Sequence, residues 1–329
     1  MVMIIHMLRQ FRKIRLILIG FIGSILFKIV HRNGFDPRQT ILIFGSIRSG
    51  TTWLAEVLSS LDGYIQIFEP LHPDYVPEVS RIFTDRNPYI PPHQDWPEGH
   101  SLFSKIHSGK LINSWIMSQV SLLKIFKAKR LVVKYVRGNL LLEWLVVNMD
   151  VLTPILMIRH PCAIISSQLN KGWQPGKKLL LNNPYLDHYP DIRRECERLS
   201  EPEELAALAW CLRYHAPLMS RKPYQFVLVC YEKLVRNGKE ELIKIFNILN
   251  IPLENKAIAQ LSIPSDTVTS ISQVVKGKDP LAGWREKLTK TQCQNILNVL
   301  HIFSMDFYDF ELEPNYEKLF YFGLKRVDD

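Results

Sequence analysis

The chain has 329 residues, enough to bury a sizeable core as one large or two small domains. Hydrophobic residues make up 47% of it, which excludes a disordered chain. Of the formal charge of +9, the first 38 residues supply most, with seven Lys/Arg against one Asp, so no nucleic-acid surface is implied.

The N-terminus reads as a unit of its own. Arg9, Arg12, Lys13 and Arg15 precede Leu16–Phe27, twelve residues without a charge, and Lys28, His31 and Arg32 follow. If Arg15 and Lys28 snorkel, Ile14–Val30 reaches the lower limit of a membrane span, about 17 residues. No small-residue cleavage site follows. Residues 1–33 are therefore expected to form a retained single-pass anchor, with a surface-lying or docked helix as the alternative. The remaining domain is expected over 38–329. Five cysteines with no C-x-x-C pair describe neither a zinc site nor a disulfide framework.

Strands are expected at Thr40–Phe44, Tyr64–Phe68, Arg130–Tyr135, Pro154–Ile158 and Gln225–Cys230, each a short, largely apolar run. Helical spacing is expected after Thr51, over Leu111–Phe126 and Leu140–Met149, from Cys162 to Leu169, and over Leu205–Met219, Lys239–Leu249 and Thr289–Phe303. Residues 70–97 hold seven of the chain's 20 prolines and read as a stiff, irregular excursion. Residues 170–204 read as a polar insertion or lid. Apolar strands alternating with helices imply an α/β fold: a P-loop-containing three-layer α/β/α arrangement with a central parallel sheet, plus the N-terminal hydrophobic helix. Ligands then belong beyond the carboxyl ends of the strands.

The stretch "FGSIRSGTTWL" (44–54) nearly spells the nucleotide-binding loop G-x-x-x-x-G-K-[ST] from Gly45 to Thr52. The lysine position holds Thr51, and Arg48 sits inside the loop. Backbone N–H groups of such a strand–loop–helix turn bind an oxyanion. A nucleoside-triphosphate site also needs its lysine and a strand-end acid for Mg²⁺. Here the strand "PILMI" ends in Arg159. Guanidinium in place of a metal suits a transferred group with less charge than a γ-phosphoryl, such as sulfuryl.

These residues resemble the sulfotransferases that use 3′-phosphoadenosine 5′-phosphosulfate (PAPS), in particular the membrane-type carbohydrate and tyrosylprotein branches. "RSGTTWL" (48–54) is similar to their 5′-phosphosulfate loop. "RHPCAIISS" (159–167) is similar to their 3′-phosphate motif, "CYEKLV" (230–235) to their Y-E-x-L-V stretch, and "SISQVVKGKDPLAGWREKL" (270–288) to their cofactor-covering segment. The resemblance implies that Arg48, Ser49, Gly50, Thr51 and Thr52 hold the phosphosulfate, and that Trp53 stacks on adenine or else faces the core. It implies further that Arg159 and Ser167 grip the 3′-phosphate, that Tyr231 bonds the cofactor, and that Ser270, Gln273 and Lys276 close over it. PAPS, with 3′-phosphoadenosine 5′-phosphate (PAP) as product, is the implied cofactor, and no metal is required.

In-line sulfuryl transfer needs a base for the acceptor hydroxyl and cations for developing charge. The resemblance implies Glu69, 21 residues after Arg48, as the base, with His72 and His107 as rivals because other sulfotransferases use a histidine. The resemblance makes Lys134 the transition-state cation. The acceptor is expected to be a hydroxyl of a glycan, glycolipid or protein, met by aromatic and basic residues such as Tyr75, Tyr89, Trp96, Trp173 and Tyr185. The anchor implies a Golgi-type membrane in a eukaryote, or the inner membrane or cytoplasm in a bacterium. A variant P-loop nucleoside or sugar kinase and a non-catalytic PAP-binding protein are the alternatives.

Overall fold

The computed structural model describes residues 2–83, 85–219, 224–265 and 279–324, with 2–13 and 321–324 given by backbone alone. Helix α1 (Val2–Val30) precedes a five-stranded sheet. Its strands are β1 (Ile41–Gly45), β2 (Tyr64–Phe68), β3 (Arg130–Tyr135), β4 (Ile155–Ile158) and β5 (Val227–Cys230). They run parallel in the order β2-β3-β1-β4-β5. The chain passes from β3 over β1 to β4, so a crevice opens at the carboxyl end of β1.

Both faces of the sheet are covered, and β1 is buried at every position. Ile41 and Ile43 pack against Leu54, Val57 and Leu58 of α2 (Thr51–Ser59). Leu42 and Phe44, pointing the other way, join a second core with Trp144, Ile164 and Trp210. A strand buried on both sides leaves little room for polar alternation, which is why β1 and β4 (ILMI) are apolar throughout. The expected three-layer α/β/α architecture is the observed one.

Two expected elements differ. Residues 111–126 form turns and a single helical turn, Leu122–Ile125, in place of a long helix. The Asn113 side chain accepts from Ile116 N–H at 3.0 Å and the Ser118 hydroxyl donates to Trp115 O at 2.7 Å, local bonds that compete with a helical ladder. The Pro-rich excursion contains one short helix, Pro77–Ile82, with Pro77 in the first turn, where its missing N–H costs nothing.

The membrane anchor is overturned. Among the described residues no helix is long and apolar enough to cross a membrane. α1 instead docks one face on the domain: Gly20, Gly23, Ser24 and Phe27 are buried, and His31 Nε2 lies 2.6 Å from Ile125 O. A Cβ on Gly20 would collide with the Ser114 carbonyl oxygen, so the glycine permits the close approach. Ile17, Leu18, Phe21 and Ile25 remain exposed on the helix. The Golgi-type or inner-membrane localisation, which rested on that anchor, falls with it. Gly20→Leu should lift α1 from the 114–118 segment. The expected result is a loss of about 1–3 kcal/mol in urea unfolding, with faster amide exchange across 114–118.

Candidate active site

The loop between β1 and α2 is held from below. Tyr214 Oη accepts from Ser46 N–H at 3.0 Å and donates to Met157 O at 2.9 Å, tying the loop to β4. Arg48 adopts φ 75°, and Glu69, at the end of β2, φ 40°. Positive φ in a non-glycine residue is strained, and such residues concentrate at functional sites. Gly50, at φ 97°, caps α2, and a Cβ there would lie 2.5 Å from Tyr231 Cδ2. Only glycine fits that position.

Two guanidinium groups from separate strand ends meet above this loop. Arg159 Nη1 donates to Arg48 O at 3.1 Å, and its guanidinium lies over the Tyr231 ring at 4.0 Å. Arg48 Nε donates to Ser167 Oγ at 3.0 Å. Burial, and then the neighbouring Arg159 charge, lower the Arg48 pKa. Among the described residues no carboxylate pairs with either arginine, and Arg159 Nε, though buried, has no hydrogen-bond partner. Both arginines line one cavity of about 250 Å³, together with Gly50, Thr51, Thr52, Trp53, Tyr231 and the 261–265 segment. Two adjacent cations without a paired acid give this cavity a positive potential.

Beside it stands a buried ion network. Lys134 shares a sheet face with Val132, the face covered by α2, so its Nζ reaches Thr52 Oγ1 at 2.8 Å. Register pairs Lys134 with Phe68, and Nζ sits 3.9 Å from that ring. Lys134 Nζ and Arg137 Nη1 bond the two oxygens of Glu69, each at 3.0 Å. Burial of Glu69 works to raise its pKa, but the two cations overcome it and the carboxyl lies below its ordinary value. Burial lowers the Lys134 pKa, and the Glu69 carboxylate at 3.0 Å opposes that shift.

The fold thus brings Arg48, Thr51, Thr52, Trp53, Arg159 and Tyr231 to one cavity, with Lys134 and Glu69 adjoining through Thr52. Ser167 touches Arg48 rather than the cavity wall. Trp53 lines the cavity with its ring edge-on to Tyr231 at 5.8 Å. Ser49 is fully buried in the loop. Ser270, Gln273 and Lys276 lie outside the described residues. His72 is wedged against Tyr75 and Trp115, and burial, with Arg137 beside it, takes its ring down to about 4. His107 is wholly buried against Tyr135 Oη at 2.9 Å, its ring down to about 3, and does not reach the cleft. Trp96 and Tyr185 are core residues, not acceptor-facing ones.

Several supporting residues escaped sequence reasoning. Glu232, fully enclosed, accepts from His160 N–H at 2.8 Å and from Tyr308 Oη at 3.1 Å, and so fixes the turn carrying Arg159. Trp210 Nε1 donates to Arg159 O at 3.2 Å. Arg137, two residues past β3, is the second cation on Glu69. Only its position beyond a strand end hinted at a role.

No family model and no curated protein matches the chain. Among solved structures, it is similar to the sulfotransferase domain from the Synechococcus PCC 7002 olefin synthase, at 18% identity and TM-score 0.47 over 84% of this chain and 97% of that one. The sulfotransferase domain from the curacin biosynthetic pathway matches at 18% identity and TM-score 0.44 over 80% and 98%. Mouse sulfotransferase SULT7A1, complexed with PAP, matches at 13% identity and TM-score 0.38 over 84% and 86%. These neighbours are sulfotransferases.

Glu69→Gln leaves two buried cations without their carboxylate and should cost about 3 kcal/mol at pH 7 in urea unfolding. With the folded pKa below the ordinary 4.5, the stability Glu69 supplies is fully present above that value. It is lost as pH falls through the folded value. The difference between wild type and variant should therefore shrink from about pH 5 downward.

Proposed function

We propose that the chain is a PAPS-dependent O-sulfotransferase acting on a hydroxyl of a glycan, glycolipid or peptide. The observation that carries this reading is the convergence of Arg48 and Arg159, without a carboxylate among the described residues, on one cavity floored by a strand–loop–helix turn. The unpartnered Arg159 Nε and the amide-lined start of α2 fit a nucleotide bearing anions at both ends. PAPS supplies a sulfuryl group joined to phosphate through a bridging oxygen, and PAP is what remains.

Within this reading the residues divide the work. The 48–52 loop and Arg48 hold the phosphosulfate end. Arg159, flattened on Tyr231, holds the 3′-phosphate, and Ser167 fixes Arg48 for its task. Trp53 walls the base side of the cavity together with the 261–265 segment. Lys134, poised between Thr52 and Glu69, neutralises charge building on the transferred group. Glu69 takes the acceptor's hydroxyl proton. It is ionised at neutral pH, and each carboxylate oxygen keeps a lone pair beyond the one it gives to Lys134 or Arg137. The ring of His72, at about 4, gains no advantage as a base and is enclosed by aromatics.

Calorimetry with PAP and with ATP, both without metal, tests the cofactor. PAP should bind, Arg159→Ala should weaken it by about 10-fold or more, and ATP should give no heat; metal-dependent ATP binding would instead make the protein a kinase. Glu69→Gln should retain PAP affinity and abolish transfer. Surviving transfer in that variant, with loss in His72→Ala, would move the base to His72.

A further inference from the structure

Past β2 the chain enters a stapled loop that the reaction scheme uses only at its first residue, Glu69. His72 N–H donates to Glu69 O at 3.2 Å, and the N–H groups of Tyr75 and Val76 donate to His72 O at 3.1 and 2.9 Å. Residues 69–76 therefore form consecutive turns. The 113–116 turn clasps both ends of them: Trp115 Nε1 donates to Glu69 O at 3.3 Å, and Asn113 Nδ2 to Tyr75 O at 2.9 Å. Trp115 thereby spans the loop, and the Tyr75 ring stacks on it with centroids 4.1 Å apart and planes 17° from parallel. The His72 ring wedges against both, at 4.6 Å from Tyr75 and 5.1 Å from Trp115. These contacts fix the orientation of Tyr75, yet the residue is 52% exposed. With one face on Trp115, what it shows to solvent is the opposite face and the rim. Next to it in the chain, Asp74 accepts from Arg86 Nη2 through both oxygens, at 3.1 and 2.9 Å, and both side chains are about half exposed.

A rigid aromatic face turned to solvent, beside a paired carboxylate and guanidinium, matches the chemistry of a sugar. A pyranose ring has an apolar C–H face to lie on an aromatic, and hydroxyls at its rim that donate to a carboxylate and accept from a guanidinium. The charges of Asp74 and Arg86 cancel, so the pair selects for neither an acidic nor a basic peptide. The geometry points to Tyr75, backed by Trp115, as an acceptor platform on which one pyranose ring of a glycan lies, its hydroxyls bonded by Asp74 and Arg86. The inference deepens the sulfotransferase reading and rests on it, and it selects a sugar over a peptide as the acceptor. Continuity with the reacting centre locates the platform. Trp115 bonds the backbone of Glu69 itself, so a ring seated on Tyr75 directs the next sugar of the chain toward the carboxylate that takes the proton.

The test uses the full chain saturated with PAP, titrated calorimetrically with cellotetraose, chitotetraose and N-acetyltyrosinamide as probes. A tetrasaccharide should bind, and Tyr75→Ala should weaken it by about 5-fold or more, whereas Tyr75→Phe, which keeps the stacked face, should not. PAP affinity should be the same in all three proteins. Since Tyr75→Ala also removes the stack on Trp115, Arg86→Gln provides a second variant that leaves the rings in place and should weaken the same binding. No binding of either tetrasaccharide, unaltered binding in Tyr75→Ala, equal loss in Tyr75→Phe, or binding of the tyrosine derivative in place of the sugars overturns the platform. Failure of wild type to bind PAP would overturn the cofactor reading instead, and that titration is run before any sugar is added.

Discussion

The site depends on one electrostatic constraint: Arg48 and Arg159 are held in contact with no acid to separate them. Like charges so placed repel, and burial makes each costlier. The fold supports the arrangement from several directions. Arg159 rests on the Tyr231 ring and on the Arg48 carbonyl, while Trp210 and Glu232 fix its backbone turn. Arg48 accepts a left-handed backbone conformation to remain in the loop. An anion in the cavity would offset strain and repulsion of this kind.

The second network has the opposite character. Glu69, Lys134 and Arg137 satisfy one another, so the carboxylate is fixed in position and held ionised. Thr52 joins the two networks, for it belongs to the anion loop and accepts from Lys134. A single buried lysine thus bridges the loop and the Glu69 carboxylate.

Much of this was legible in the chain. Tyr64–Phe68 and Arg130–Tyr135 were read to the residue, because a strand buried on both faces leaves a short, largely apolar run. Arg48 and Arg159 were legible because a loop with threonine at its lysine position carries an arginine inside it, and a strand end carries an arginine where a nucleotide site would carry an acid. The 111–126 segment misled because its apolar residues recur at helical spacing, while Asn113 and Ser118 divert the backbone into turns. α1 misled in a related way. Its apolar run suggests a lipid environment, yet two glycines on one face let it lie against its own domain.

The sequence by itself determined the sheet, the anion loop and the strand-end cations, since each is encoded by neighbours within a few positions. Only the tertiary structure decided that Arg137 would share Glu69 with Lys134, that Ser167 would brace Arg48, and that Tyr214 would tie the loop to β4. Those contacts join residues from 57 to 168 positions apart. Nothing local announces them, because they exist only once the crossover from β3 to β4 has set the strand ends side by side.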